Sequence, residues 1–409
     1  MSPLRLLIPI ALLLFIDIYA FQALKTVTAK KWFYFLYWGF ALSAYIAIIM
    51  TLLTNVREWP AYFRLYLSAT FMIFYVAKFL LCGFLLIDDI IRAGRYLAYW
   101  FSGNPASSGT GQGIGRLTFI SQLGMLLTSI PLAAMLHGMA RNAYNYQVKK
   151  VALKIPDLPA AFEGLTIAQI SDIHSGSFVT KRPLYKAVNL INSLKTDLVF
   201  FTGDLVNNLA SEAQDYVPIF GQIKAKLGVF SVTGNHDYGD YSHWPDPQDK
   251  TKNFDAFKDT HKRMGWQLLL NEHRVIEKDG EKLAIIGVEN WSANPRFRRY
   301  GDLSKAYDGC EDCKVKLLLS HDPSHWRAEV LNKYPDINAA FAGHTHGFQF
   351  GINFSFFKWS PIKYAYKEWI GLYQEQQRYL YVNPGFGYVG YPGRVGFLPE
   401  ITLFTLTKA

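Results

Sequence analysis

The sequence predicts an all-α transmembrane bundle of about four helices over residues 1–144, followed by an α/β domain over 145–409. Three observations predict it. Charge is divided unequally: residues 1–144 hold 11 Lys/Arg against 4 acids, and the rest of the chain holds 31 against 28. Four apolar stretches in the first part reach the roughly 20 residues that a helix needs to cross a bilayer. Beyond residue 145, strand-like runs end five times in succession at clusters of Asp, Asn and His.

The four candidate spans lie at about 4–23, 32–54, 65–87 and 117–139. Aromatic residues crowd their ends, as in Trp32-Phe33-Tyr34 and Tyr99-Trp100-Phe101, and suit the membrane interface. The Gly/Ser-rich stretch 103–115 reads as a flexible loop. The first span has the alternative of a cleaved signal peptide, but its long apolar region contains Asp17 and no clean small-x-small site follows. Asp17 and Lys78 fall at matching depths of two parallel spans. Isolated charges there are costly, so the two are expected to pair, the alternative being a Lys78 that snorkels or faces a polar cavity. The net charge of +10 is concentrated in this half. That suits anionic lipid, and no Lys/Arg-rich run of the nucleic-acid type is present. The expected location is therefore multi-pass in a plasma membrane, with a bilayer and no nucleic acid as partner. Four spans put the N-terminus and the second domain on one side. Six basic loop residues against seven do not orient the bundle; the extracytoplasmic side is the working expectation, to be read from Cys310 and Cys313. These two stand as Cys-Glu-Asp-Cys, with readings of an ordinary loop pair, a local disulfide, or a redox or metal pair.

In the second domain a strand over 165–171 ends at Asp172-Ile173-His174, and a helix follows near 181–195. A strand over 197–202 ends at Gly203-Asp204, with a helix expected over 210–226. A strand over 228–233 ends at Gly234-Asn235-His236-Asp237. Asp279-Gly280 marks a hairpin. A strand over 314–320 ends at His321-Asp322, another over 337–342 ends at Gly343-His344-Thr345-His346, and a last strand covers 401–406. Loops at the carboxyl ends of sheet strands are where α/β proteins build ligand sites. One histidine at a strand end is ordinarily structural. Five successive Asp/Asn/His clusters are not explained by packing. Oxygen and imidazole donors without thiolate suit Mn²⁺, Fe²⁺ or Zn²⁺. Two such ions with a bridging carboxylate acidify a water and clamp a phosphoryl oxygen.

These five blocks, in this order, resemble those of the calcineurin-like metallophosphoesterase family, over about residues 150–409. The resemblance implies a sandwich of two mixed β-sheets flanked by helices and two divalent metal ions. It implies that Asp172, His174 and His346 bind one ion, that Asn235, His321 and His344 bind the other, and that Asp204 bridges them. His236 would face the substrate and protonate the leaving oxygen or steady charge, with Asp237 orienting it. Asn207 departs from the pattern, since the family often has Asp there; it is expected beside the ligands and on the substrate side. Asn383-Pro384-Gly385-Phe386-Gly387, Pro392-Gly393-Arg394 and Pro399-Glu400-Ile401 resemble a bacterial subgroup of membrane-bound or exported phosphodiesterases, similar to UDP-2,3-diacylglucosamine pyrophosphatase-like enzymes. In that setting the membrane is the bacterial inner membrane, and Arg394 is the candidate phosphate contact, with a structural arginine as the alternative.

The stretch 347–373 carries ten aromatic residues interleaved with Lys358, Lys363 and Lys367. It reads as a lid or interfacial surface admitting a lipid-linked phosphoester, or as packing against the helical half. The leading expectation is hydrolysis of a phosphodiester or pyrophosphate, lipid-linked, by a metal-activated hydroxide. The alternatives are a phosphomonoesterase or protein phosphatase, and a non-enzymatic membrane sensor or scaffold of the same fold.

Overall fold

The computed structural model describes residues 4–56, 59–102 and 116–409; the loop expected over 103–115 lies outside the described residues. The chain forms two units, Met1–His137 and Gly138–Ala409.

The first unit is helical: α1 (Leu4–Val27), α2 (Lys31–Leu53), α3 (Ala61–Ser102) and α4 (Arg116–Ala140). All four are long and apolar enough to cross a membrane. An apolar helix satisfies every backbone group internally, which hydrocarbon demands. The 42 residues of α3 would extend about 63 Å, roughly twice the hydrocarbon thickness. The expected span over 65–87 is therefore only part of it, and the helix runs on for 15 residues beyond. Where the apolar run stops, Arg92 sits 3.1 Å from the buried Asp88 and also pairs with Asp89, so the helix continues on a charged stripe.

Asp17 and Lys78 do pair. Lys78 Nζ lies 2.5 Å from Asp17 Oδ1, with Asp17 fully buried. Tyr75 donates to Asp17 Oδ2 at 2.9 Å, Tyr45 donates to the same oxygen, and Tyr37 donates to the Asp17 carbonyl at 2.7 Å. The small residues Ala20 and Ala23 pack with Leu81 and Leu85 beside this network.

The second unit is a β-sandwich. Its strands are β1 (Gln147–Ile155), β2 (Thr166–Ile170), β3 (Leu198–Phe201), β4 (Val229–Ser231), β5 (Gln267–Leu268), β6 (Glu272–Lys278), β7 (Glu281–Gly287), β8 (Val315–Leu319), β9 (Ala339–Ala342), β10 (Ile352–Asn353), β11 (Lys358–Trp359), β12 (Gly371–Glu375), β13 (Arg378–Val382) and β14 (Glu400–Lys408). One sheet runs β1-β14-β2-β3-β4-β5 and the other β12-β13-β9-β8-β7-β6. Both are mixed: β2, β3, β4 and β5 are parallel but β14 is antiparallel to β2, and β7, β8, β9 and β13 are parallel but flanked by antiparallel β6 and β12. Side-chain alternation explains the layers. In β8, Val315, Leu317 and Leu319 face the inter-sheet core with Phe200, Phe230 and Phe341. Leu318 faces outward into a second cluster with Trp326 and Val330. Cys310 and Cys313 belong to that second cluster as separate buried thiols, the ordinary loop reading of the pair.

Helix α5 (Arg182–Ser193) buries Leu184, Ala187, Val188 and Ile191. The helix expected over 210–226 is instead a 3₁₀ segment, Ala210–Tyr216, running into the single turn α6 (Val217–Phe220). Pro218 lacks the N–H an uninterrupted helix would use, so it sits in a new first turn. Helix α7 (Pro247–Met264) was not expected from sequence.

Replacing Asp17 or Lys78 by Ala strands a buried charge, so each change should lower the thermal stability of the detergent-solubilised chain by about 3–5 kcal/mol. The double mutant should lose clearly less than the sum. Strictly additive losses would refute the pair.

Candidate metal centre

The parallel strands of both sheets deliver their carboxyl ends to one edge of the sandwich. The loops after β2, β3, β4, β8 and β9 carry Asp172–His174, Asp204, Asn235–Asp237, His321 and His344–His346. The local backbone is bent to bring them together. Asp172, His174, Asp204, His344 and His346 all have positive φ, between 51° and 72°. Each costs roughly 1–2 kcal/mol for a residue with a Cβ, and such strain persists where the surroundings over-determine it. Here they do. Asp172 N donates to Gly203 O at 2.9 Å, His174 N to Asp204 O at 3.0 Å, and Gly343 N to His321 O at 2.9 Å. His344 N donates to both Asp172 oxygens at 3.0 and 3.1 Å. The glycines permit close approach. A Cβ on Gly343 would lie 2.2 Å from Asp172 Oδ2, and one on Gly234 would lie 2.2 Å from Asp204 Oδ1.

Three groups of potential ligands overlap: Asp172/His174/His346, His174/Asp204/His236 and Asp204/His321/His344. Asp204 Oδ2 lies 3.6 Å from His174 Nε2 and 3.1 Å from His321 Nε2. His346 Nε2 lies 3.2 Å from Asp172 Oδ1 and 3.0 Å from His174 Nε2. His344 Nδ1 lies 2.8 Å from Asn235 Oδ1 and 3.2 Å from His321 Nε2.

The far ring nitrogens fix which lone pairs face inward. His174 Nδ1 donates to Asn207 Oδ1 at 3.0 Å, and His321 Nδ1 donates to Thr202 O at 2.7 Å. His344 Nε2 reaches Tyr366 Oη at 2.8 Å and Asp322 Oδ2 at 3.5 Å. So the His321 and His344 nitrogens, 3.2 Å apart, turn like lone pairs toward one another, and the His174 lone pair faces His346 Nε2 at 3.0 Å. Two donors about 2.1 Å from one ion lie roughly 3.0–3.4 Å apart. The donor set fits two divalent cations in spacing as well as in chemistry. The charge balance agrees. Burial pushes His321 down, but Asp204 and Asp172 overcome it and raise the ring to about 10. Burial likewise opposes the Asp204 carboxylate, yet His321 and His236 hold it well below its usual range. A site that draws a proton onto a buried imidazole is short of positive charge.

The seven expected ligands therefore meet in one place. Asp172, His174, Asp204, Asn235, His321 and His346 are buried, while His344 and His236 are partly exposed. The open side of the site is theirs.

Three expected roles are corrected. Asp237 does not orient His236. Its carboxylate accepts from the backbone N–H groups of Asp204 (2.9 Å), Leu205 (2.8 Å), Val206 (3.3 Å) and Gly234 (2.8 Å), clamping the loop that carries Asp204. His236 is oriented by Asn207, whose carbonyl accepts from Nδ1 at 2.7 Å. Asn207 is thus an orienting residue for His174 and His236 rather than a substrate contact. Arg394 is fully buried. Its guanidinium faces the carbonyls of Pro384, Gly387 and Phe397 and lies 3.4 Å from His346 Nδ1. With each nitrogen so engaged it supports the loop behind His346 and does not meet a phosphate.

Sequence reasoning missed Tyr366, Tyr241, which accepts from Asn235 Nδ2 at 2.8 Å, and Glu212, which accepts from the backbone of Asn207, Asn208 and Leu209. Tyr366 was visible as part of the aromatic stretch. Nothing in the local sequence singles out the other two.

Residues 4–143 match the family described as "Probable Calcineurin-like phosphoesterase, transmembrane domain", and residues 165–348 match "Calcineurin-like phosphoesterase". The chain is similar to a "Transmembrane protein with metallophosphoesterase domain" of Danio rerio, 30% identical over 70% of this chain and 62% of that protein. It is 29% identical to the Bos taurus protein of that name over 91% of this chain and 81% of the relative. "Uncharacterized metallophosphoesterase YkuE" of Bacillus subtilis is 29% identical over 66% of this chain and 89% of its own length.

Asp237→Asn replaces a two-oxygen acceptor by one oxygen and a donor that opposes backbone N–H groups. It should cost about 2–3 kcal/mol and lower the thermal midpoint of the catalytic unit, whereas His236→Asn should not. Equal midpoints in intrinsic-fluorescence melts would show that Asp237 is no clamp.

Proposed function

Because the chain belongs to the calcineurin-like metallophosphoesterases and carries their four-helix transmembrane domain, we propose that it is a two-metal hydrolase of a phosphodiester or pyrophosphate bond in a lipid-linked substrate. The observation that carries this reading is the position of Asp204 Oδ2, between His174 on one side and His321 on the other. Asp172, His174 and His346 would hold one divalent cation, Asn235, His321 and His344 the second, and Asp204 both. When bound, Mn²⁺, Fe²⁺ or Zn²⁺ ions supply Lewis acidity toward a water and a phosphoryl oxygen.

The chain's own residues supply the rest. Asp204 Oδ1 accepts from His236 N at 2.9 Å, which ties the loop of the proton-donating residue to the bridging carboxylate. The Asn207 carbonyl takes His236 Nδ1–H, so the ring's other nitrogen is left for the leaving oxygen. Tyr366 and Asp322 fix the ring of His344 on the open side. The buried Arg394 offers no cradle to a dianionic monoester, which favours a diester or pyrophosphate. The apolar helices favour a substrate held in the same membrane.

Purified chain in detergent with Mn²⁺ should hydrolyse bis(p-nitrophenyl) phosphate faster than p-nitrophenyl phosphate. It should carry two divalent ions by elemental analysis. Asp204→Ala should lower turnover by more than about 100-fold, beyond the loss expected from an outer hydrogen-bonding partner alone, and cut the metal content to one ion or none. A folded chain that binds two ions and turns over neither ester would sink the hydrolase reading. Asn207→Ala removes the acceptor of His174 Nδ1 and leaves the backbone carbonyl that holds His236; its turnover should fall by about 10–100-fold with metal content largely kept, and turnover within twofold of the parent would show that the Asn207 side chain does not orient His174.

A further inference from the structure

The aromatic stretch after His346 divides into two parts. Tyr366 and Trp369 are buried with Phe397. The hairpin of β10 and β11 instead holds its aromatic residues in the open: Phe354 is 58% exposed, Phe356 87% and Phe357 46%, and Tyr364 just beyond it is 77% exposed. Phe354 and Phe356 stack on each other at 5.7 Å and on nothing else among the described rings. Lys358, Lys363 and Lys367 are exposed around them. Three phenylalanines at one exposed hairpin tip expose more apolar surface than a water-facing turn needs, and a fringe of lysines is the pattern of a segment lying at an anionic lipid interface.

The root of this hairpin is tied to the segment that opens the second unit. Gly351 N donates to Val395 O at 3.0 Å, and Val395 N donates to Gln349 O at 2.8 Å. The neighbouring Arg394 donates its N–H to Gly138 O at 3.4 Å, at the first residue of this unit, and accepts from Asn142 Nδ2 at 3.1 Å. Two adjoining residues of one loop thus hold the hairpin and the first residues of the second unit. Lys358 is also close enough to Lys149 of β1 for the two ammonium groups to repel. Burial and that neighbour lower the Lys358 ammonium, and Lys149 follows the last residue of α4 by nine positions.

The other end of the hairpin leads to the candidate metal centre. His346, Gly347, Phe348 and Gln349 all have positive φ, a left-handed turn that leaves Phe348 55% exposed. Ser360 Oγ donates to Gly347 O at 2.9 Å, Thr345 Oγ1 donates to Trp369 O at 2.6 Å, and Tyr366 Oη reaches His344 at 2.8 Å. The hairpin is therefore strapped at both ends to the loop that carries His344 and His346.

We infer that the 352–359 hairpin is a wedge seated in the lipid interface, where Phe354, Phe356 and Phe357 contact acyl chains, the lysines meet anionic headgroups, and a membrane-borne substrate is guided to the open side of the His344 loop. The occupant is the bilayer itself. The guiding role rests on the lipid-linked reading above; the depth of the hairpin does not.

The test uses the full chain in nanodiscs containing anionic phospholipid. Phe356→Cys in a Cys82→Ala background is labelled with an environment-sensitive fluorophore, beside Lys252→Cys on α7 as control. Emission at 356 should shift to the blue and be quenched by lipid-borne nitroxide but not by aqueous iodide, with the reverse at 252. Iodide quenching at both positions would overturn the wedge. So would protection from both quenchers accompanied by cross-linking of two chains, which would assign the tip to a second copy. The triple variant Phe354→Ser, Phe356→Ser, Phe357→Ser should lose about tenfold or more on a fluorogenic diester carried by a vesicle lipid and stay within about twofold on bis(p-nitrophenyl) phosphate. Equal loss on both esters would remove the guiding role. Absence of any diester turnover in the unaltered chain would remove the hydrolytic reading and leave the depth result standing.

Discussion

The Asp204 carboxylate is shared between two sets of histidines, and the second unit is arranged around that sharing. His174 stands on one side at 3.6 Å and His321 on the other at 3.1 Å, and all three side chains are buried. Inward-facing lone pairs repel unless a cation lies among them, so the loops must be held against that repulsion as well as against their own left-handed backbones. The clamp of four backbone N–H groups on Asp237 and the single His344 N–H shared by both oxygens of Asp172 supply this from behind. Neither aspartate could become Asn without setting an amide N–H₂ against another donor.

The helical unit meets the same problem of buried charge and resolves it internally. Asp17 has Lys78 on one oxygen and two tyrosine hydroxyls on the other. Lys78 Nζ in turn lies over the rings of Tyr37 and Tyr75 at 4.5 and 4.7 Å. Asp17 and Lys78 are each other's counter-charge. At the candidate metal centre divalent cations would supply the counter-charge, which is the difference between a structural ion pair and a binding site.

Much of this was legible in the sequence because the signals are local. Hydropathy gave four helices, and the β-strands could be placed by the apolar runs that precede Asp172, Asp204, Asn235, His321 and His344. What failed depends on three-dimensional neighbours. The adjacency of His236 and Asp237 suggested a pair, but successive residues on a turn point apart, and Asp237 turns under the chain while His236 turns out. Arg394 carries the right chemistry for phosphate and is buried by a loop that no pattern in the sequence folds over it. Helix α7 has its signals in plain view, with Asp246 accepting from Gln248 N at 2.8 Å, Pro247 at the first turn and Gly265 at φ 74° after the end. It escaped because its buried stripe is only Phe257, Thr260, His261 and Met264 among many charged residues, too few to mark an apolar period.

Asn207 and Arg394 bear together on what the site would bind. Asn207 stands where the resembling family often carries Asp, and here it orients two histidines with a neutral side chain and its own carbonyl. The carboxylates that face the ligand atoms are then Asp172 and Asp204, with Asp237 directed at backbone N–H groups and Asp322 set behind His344. Two divalent cations would exceed two carboxylates by two positive charges. An aspartate at 207 would cut that excess, and Arg394 would not restore it, since its guanidinium is directed at carbonyls. The neutral residue would therefore preserve positive charge on the side of the site where His236 and His344 are partly exposed and where an anionic phosphoester would have to arrive.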